Sequence, residues 1–214
     1  MITRYGYSIC ITFFIIFIVV LLFFFAIPGT IPAWIVVLTG LVAAFNLYFF
    51  RDPQRSIPQG DRLILSPADG TVIRMDEADE PEYFKAKVRR ISIFLSVLDV
   101  HINRIPISGV VDFLKYRKGK FVAAFDHKAS EKNEMAVIGI RNGERRLLFT
   151  QIAGIIARRI IYELKDGDQV KAGERFGMIR YGSRVDIYLP PEVNIRVKMK
   201  DKVVGGETII GEYN

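Results

Sequence analysis

The feature that most limits what this chain can fold into is an uncharged run, residues 8–50, in a 214-residue polypeptide that is a quarter charged overall. Its first half, residues 8–27, reads SICITFFIIFIVVLLFFFAI. At about 1.5 Å per residue, a helix of that length covers roughly the 30 Å hydrocarbon layer of a bilayer. Pro28-Gly29-Thr30 breaks the run, and residues 31–50 form a second apolar stretch with Pro32 in its first turn and Asn46 as its only amide. The pattern predicts a membrane-anchoring helical hairpin over residues 1–50, with Tyr5, Tyr7, Trp34 and Tyr48 at headgroup depth. A cleaved signal peptide fits less well: the run is long, its basic leader is Arg4 alone, and a second run follows. Composition does not choose between a spanning hairpin and one lying within a single leaflet.

Positive charge flanks the hairpin at Arg4 on one side and at Arg51, Arg55 and Arg62 on the other, while the turn has none. Both ends are therefore expected on the cytoplasmic side of the cell membrane, together with the rest of the chain. Basic residues outnumber acidic ones 30 to 23. Held beside an anionic leaflet, each nearby cation contributes on the order of 1 kcal/mol toward acidic headgroups. Nucleic acid is not the expected partner. The basic residues are scattered as Arg89-Arg90, Arg158-Arg159 and a loose run at 198–202, without an aromatic RNA-binding signature or a helix-turn-helix pattern. The single cysteine, Cys10, lies in the apolar run, which excludes an intrachain disulfide and a cysteine zinc cluster.

Residues 51–61 read as a polar linker and residues 62–214 as one compact domain, too short for two. Short runs rich in Val, Ile, Tyr and Phe, punctuated by Gly and Pro, predict strands at 62–65, 70–75, 90–97, 109–116, 145–152, 176–181, 184–189 and 194–199. Arg141-Asn142-Gly143 and Asp166-Gly167-Asp168 read as turns, and one short helix is expected near 155–161. The fold class is mainly β, a barrel-sandwich-like domain with a minor helix behind a hydrophobic helical hairpin. Ser66-Pro67-Ala68-Asp69-Gly70-Thr71-Val72 resembles the opening strand of a biotinyl or lipoyl module, and Asp166 to Glu174 resembles its G-D-x-V-x-x-G turn, but no modifiable lysine is evident.

The chain has no GxxxxGK loop, no GxGxxG, no HExxH and no GxSxG, and only two histidines, so no His-rich metal site is expected. What remains for chemistry is Asp69, the segment Asp99-Val100-His101-Ile102-Asn103-Arg104, and Arg180-Tyr181-Gly182-Ser183-Arg184. In the order SPADG, FLSVLDVHINRIP, IAGIIARRI and FGMIRYGSRVDIYLP, these pieces resemble the short form of the phosphatidylserine decarboxylase proenzyme family over nearly all of residues 51–214.

That resemblance implies a pyruvoyl enzyme, using neither metal nor pyridoxal phosphate, that cleaves itself between Gly182 and Ser183 into chains 1–182 and 183–214. The two chains would form a heterodimer, with further assembly left open. Ser183 Oγ would attack the Gly182 carbonyl, and β-elimination with loss of ammonia would leave a pyruvoyl group at the new terminus. Glycine suits the preceding position because it lacks Cβ and tolerates strained backbone. His101 is the candidate base and Asp69 the group that orients it and stabilises its charged form, by the logic of serine triads. The pyruvoyl carbonyl would then form a Schiff base with phosphatidylserine and accept electrons as carbon dioxide leaves. The longer bacterial members carry a second histidine where this chain has Arg104, which leaves self-cleavage, decarboxylation or both open to His101; both are assigned to it. Arg104 and Arg184 are candidates for the lipid phosphate.

Bland readings stand beside these. A serine after a glycine is ordinarily a turn residue, His101 could be a structural histidine after an apolar strand, Asp69 a turn aspartate, and His127 an exposed loop residue. Serine on an ether-linked archaeal lipid is an alternative substrate. Different classes are a signal-peptidase-like membrane protease built on Lys128 and Ser130, and a noncatalytic barrel-sandwich module.

Overall fold

The structure, a computed structural model, describes residues 1–119, 133–154, 160–180 and 183–214. These form two compact units, Met1–Pro53 and Gln54–Asn214.

In the first unit, helix α1 spans Tyr7–Ala26 and α2 spans Ala33–Phe49. Their polar side chains turn back onto backbone carbonyls, as an apolar surround requires. Thr12 Oγ1 donates to Ser8 O at 2.8 Å, Thr39 Oγ1 to Ile35 O at 2.9 Å, and Asn46 Nδ2 to Val42 O at 2.9 Å. Phe14, Leu22, Phe25, Trp34, Val37 and Leu41 remain exposed around the pair. The segment Arg4–Ala26 is long and apolar enough to cross a membrane, whereas α2 is shorter. The ends of this unit are tied together: Thr3 N donates to Phe50 O at 2.8 Å and Asp52 N to Met1 O at 2.7 Å.

The described part of the second unit is built from strands. They are β1 (Leu63–Leu65), β2 (Gly70–Glu80), β3 (Ala86–Leu95), β4 (Ile102–Arg104), β5 (Gly109–Arg117), β6 (Met135–Asn142) and β7 (Arg145–Ala153), followed by β8 (Ile160–Tyr162), β9 (Gln169–Val170), β10 (Arg175–Ile179), β11 (Ser183–Leu189), β12 (Asn194–Ile195), β13 (Lys202–Val203) and β14 (Ile209–Glu212). An eight-stranded sheet runs β13-β2-β3-β11-β7-β6-β5-β9, and two three-stranded sheets run β1-β14-β12 and β4-β10-β8. The mainly β class read from the sequence holds. Of the helix expected near 155–161, residues 155–159 lie outside the described residues, and Ile160 and Ile161 belong to β8. Cross-strand ladder bonding and the β-branched pair Ile160-Ile161 favour the strand there.

The core follows the two-residue period of the strands. Ile91 and Ile93 of β3, Ile187 and Leu189 of β11, Phe149 of β7 and Ile138 and Ile140 of β6 are buried in one cluster, with Phe149 and Phe176 edge to face at 5.3 Å. A smaller apolar cluster gathers Ala68, Leu95, Ala136, Ala153, Ile160, Ile179 and Val185. It surrounds the point where β11 begins.

Candidate active site

The site is assembled where β2 and β11 begin and β3 ends. The backbones of β2 and β3 approach closely there: a Cβ on Gly70 would lie 2.3 Å from the Phe94 carbonyl oxygen, so only glycine fits beside the β3 backbone. Asp69 precedes that glycine and is thereby carried to the end of the sheet. On the other side of β3, Ser183 pairs with Leu95, and in β7 it pairs with Ala153. The chain leaves β3 at Leu95, turns through Ser96 to Asp99 and reaches His101. Ile179, the last residue of β10, donates its N–H to the His101 carbonyl at 3.4 Å. The topology thus brings Asp69, His101 and Ser183 to one end of the sheet.

Ser183 is fully buried, and its Oγ has no hydrogen-bond partner among the described residues. Its register neighbours Leu95 and Ala153 offer no side-chain donor or acceptor. Leaving such a hydroxyl unpaired costs about 1–3 kcal/mol, so its position calls for an explanation.

His101 is also fully buried. Its Nδ1 lies 2.9 Å from the Asp99 carbonyl oxygen. A carbonyl only accepts, so Nδ1 is the donor in this contact. The carbonyl is held by a tight turn in which Asp99 N donates to Ser96 O at 3.0 Å and Ser96 N donates to Asp99 Oδ2 at 2.8 Å.

Asp69 is nearly buried and held from two directions. Gly205 N donates to Oδ1 at 2.8 Å, and Arg55 Nη2 donates to Oδ2 at 2.7 Å. Burial pushes its carboxyl above the ordinary carboxylate range; the Gly205 N–H and the Arg55 guanidinium pull it back, and the nearby Asp99 adds to the upward push.

The two candidate arginines occupy different surroundings. Arg184 and Asp186 lie two apart on β11, on the sheet face opposite Ser183, as a buried ion pair with Nε to Oδ1 at 2.8 Å and Nη2 to Oδ2 at 3.1 Å. Arg104 is buried with its Nη1 donating to Gly173 O at 2.9 Å, and it borders an open cleft of ≈ 810 Å³ that Arg55, Lys171, Glu174 and Arg175 also line. Gly182, the other half of the expected cleavage site, lies outside the described residues, as do His127, Lys128 and Ser130. No group of three or more His, Cys, Asp or Glu side chains among the described residues is arranged to hold a metal ion.

Several contributors were not singled out by sequence reasoning. In the sequence Arg55 stands out only as a flanking charge, and Asp99 only as part of the segment 99–104. A second buried polar pair, Asn103 Oδ1 accepting from Gln151 Nε2 at 2.7 Å, joins β4 to β7, and Asn133 Nδ2 donates to the Ala153 carbonyl at 2.7 Å beside Ser183. For Asp99 a signal exists, since Ser-x-x-Asp before a histidine is a turn with a capping carboxylate. Arg55 and Gln151 carry no such local signature.

Comparison with known proteins is consistent across the length of the chain. Residues 42–211 match the family model described as phosphatidylserine decarboxylase. A phosphatidylserine decarboxylase proenzyme of Pelodictyon phaeoclathratiforme is 43% identical over 217 residues, covering the whole of both chains. The proenzyme of Chlorobium chlorochromatii is 42% identical over 213 residues, again covering both fully. That of the Wolbachia from Brugia malayi is 52% identical over 172 residues, 78% of this chain and 75% of the relative.

Proposed function

The chain belongs to the phosphatidylserine decarboxylase family, and from that premise we propose that it decarboxylates phosphatidylserine to phosphatidylethanolamine after cutting itself between Gly182 and Ser183. The observation that carries this reading is the buried Ser183 Oγ at the head of β11, without a hydrogen-bond partner among the described residues and beside the turn that holds His101. A hydroxyl kept dry and without a partner is available as a nucleophile.

In self-cleavage, Ser183 Oγ bonds to the Gly182 carbonyl carbon while its proton passes to Nε2 of His101. The peptide C–N bond then breaks, the serine nitrogen takes a proton, and an ester links the two segments. Loss of the Ser183 Cα proton expels the Gly182 carboxylate. The enamine left on residue 183 tautomerises and takes up one water as ammonia departs. Asp69, ionised, lowers the energy of protonated His101 during these transfers. Leu95 and Ala153, the strand neighbours of Ser183, belong to a buried apolar cluster, and a surround of that kind strengthens each of these charge interactions.

The residues present fit the pyruvoyl group that this produces, because its atoms come from Ser183 itself; the group supplies an electrophilic carbonyl that withdraws electrons from the substrate as carbon dioxide leaves. Binding requires a neutral amine. An amine of pKa near 8 is mostly charged at neutral pH, and in this reading His101 takes its proton. Arg104, which borders the cleft and donates Nη1 to Gly173 O, is the arginine assigned to the lipid phosphate, because Arg184 lies in the buried ion pair with Asp186. The two product chains would remain a heterodimer: β11 is paired on both sides by strands of residues 1–182, and β13 and β14 pair with β2 and β1. The apolar helices would anchor the enzyme in the cell membrane, with the basic flanks on the cytoplasmic side.

The test is the intact mass of the purified full chain in detergent. Two chains, 1–182 and a 183–214 chain beginning with pyruvoyl, are expected, together with carbon dioxide release from phosphatidylserine in mixed micelles and inactivation by hydroxylamine. Ser183→Ala should stay whole and inactive. An active wild-type protein with an unbroken backbone at residue 183 would overturn the proposal.

A further inference from the structure

The polar segment after Pro53 reaches the candidate site through one side chain. Arg55 Nη2 donates to Asp69 Oδ2 at 2.7 Å, and its Nη1 lies 3.6 Å from Glu207 Oε2. Beside it, Ser56 N donates to Glu207 Oε1 at 2.7 Å. Asp69 Oδ1 in turn accepts from Gly205 N, and Gly206 N donates to Ser66 O at 2.8 Å. Arg55, Asp69, Gly205 and Glu207 therefore form one network. Two of its members come from residues before the Gly182-Ser183 bond and two from residues after it. The guanidinium is nearly buried, with its side chain 12% exposed, so solvent screens it weakly.

From this geometry we infer that Arg55 is a positioning residue for self-cleavage, holding Asp69 in place and ionised across the junction between the two product segments. The inference rests on the reading of Asp69, His101 and Ser183 given above and goes beyond it. An aspartate beside a second carboxylate, here Asp99, and largely out of water favours its neutral form unless a cation opposes both effects. Arg55 is the charged group hydrogen-bonded to Asp69; Glu207 partly offsets it from the far side of the guanidinium, and His101 is the group Asp69 is assigned to serve. Without Arg55, the protonated fraction of the Asp69 and His101 pair rises at any given pH, because loss of a cation raises the affinity of both for protons. Cleavage then fails first on the acid side.

The experiment follows cleavage of the full chain, made by cell-free synthesis into detergent and shifted to buffers from about pH 5 to about pH 9. Wild type, Ser183→Ala, Arg55→Gln and Arg55→Lys are run together. For Arg55→Gln the acid limb of the cleavage rate is expected to move up by about one pH unit. The rate deficit is then about tenfold on the acid side and shrinks to about twofold on the alkaline side. Arg55→Lys keeps the charge and should keep the limb in its wild-type position. An unmoved limb in Arg55→Gln, an equal deficit at every pH, or a limb displaced equally in both variants overturns the inference. If only Arg55→Lys accumulates, a wild-type limb supports the inference and a displaced one refutes it. If neither accumulates, Arg55 is a folding residue and the inference falls. Wild-type chain that never cleaves sinks the Ser183 reading itself, which is distinct from all of these.

Discussion

His101 and Asp99 are joined through the imidazole Nδ1 and a main-chain carbonyl 2.9 Å away, not through a carboxylate. The Asp99 carboxylate acts one step back: it accepts from Ser96 N and so keeps the turn, and with it the carbonyl, at a fixed distance from the ring. A carboxylate would strengthen the base but could also take its proton. A carbonyl can only accept, so it fixes Nδ1 as a protonated nitrogen.

Replacement of Asp99 should therefore separate turn geometry from charge. Asp99→Asn retains an oxygen that can accept from Ser96 N and should cleave within about threefold of wild type, whereas Asp99→Ala should slow cleavage by about tenfold or more. A gel time course of the two variants checks this. Equal rates would show that the Ser96 to Asp99 turn does not set His101.

Gly70 offers a steric test of how Asp69 is delivered. In Gly70→Ala the new Cβ would lie 2.3 Å from the Phe94 carbonyl oxygen, so β2 must shift and carry Asp69 with it. The expected cost is about 2–4 kcal/mol in stability, with cleavage reduced further than stability alone explains. Thermal unfolding in detergent and the cleavage time course, measured on the same preparation, supply both readings.

The Arg184 to Asp186 pair is out of water on both sides, so removing one partner leaves a buried charge. Asp186→Ala should destabilise by about 3–5 kcal/mol, while the double change Arg184→Met with Asp186→Leu should cost considerably less. A denaturant titration of the uncleaved Ser183→Ala background isolates this from activity. Comparable losses in the single and double variants would contradict it.

Asp76 gives a pH test of stability with the opposite sign from Asp69. Hydrogen bonding by Arg90 first, then by Arg74, holds its carboxyl below the ordinary carboxylate range despite some burial. A depressed folded-state value means the unfolded chain binds the proton more readily, so the stabilisation is present at neutral pH and is lost as pH falls through the folded-state value. The carboxylate is about one-third exposed, which limits the effect to roughly 0.5–1 kcal/mol. Asp76→Asn should therefore lower the unfolding midpoint at pH near 7 and leave it unchanged at strongly acid pH.

Much of the architecture was legible along the chain because it depends on local periodicity. The β-rich segments 109–116 and 145–152 appear as β5 and β7, each one residue longer. Strands whose residues look unremarkable in isolation were not legible. Ile102–Arg104, Lys202–Val203 and Ile209–Glu212 become strands only because a partner edge accepts their backbone groups. Met135–Asn142 carries a β pattern that the polar stretch before it obscures.

Residue types and their order in this sequence determined by themselves that a charge-free segment precedes a β domain, and they single out Ser183, His101 and Asp69 as the candidates for its chemistry. A covalent string records which groups are present but not which are dry, and not which distant residue meets which. Only the tertiary structure decided that the Ser183 hydroxyl is buried with no partner among the described residues, that the Asp99 carbonyl meets the His101 ring, that Arg184 pairs with Asp186, and that Arg55 closes on Asp69. Each depends on strand register and on burial, and those arise from long-range pairing of segments that carry no mark of one another in sequence.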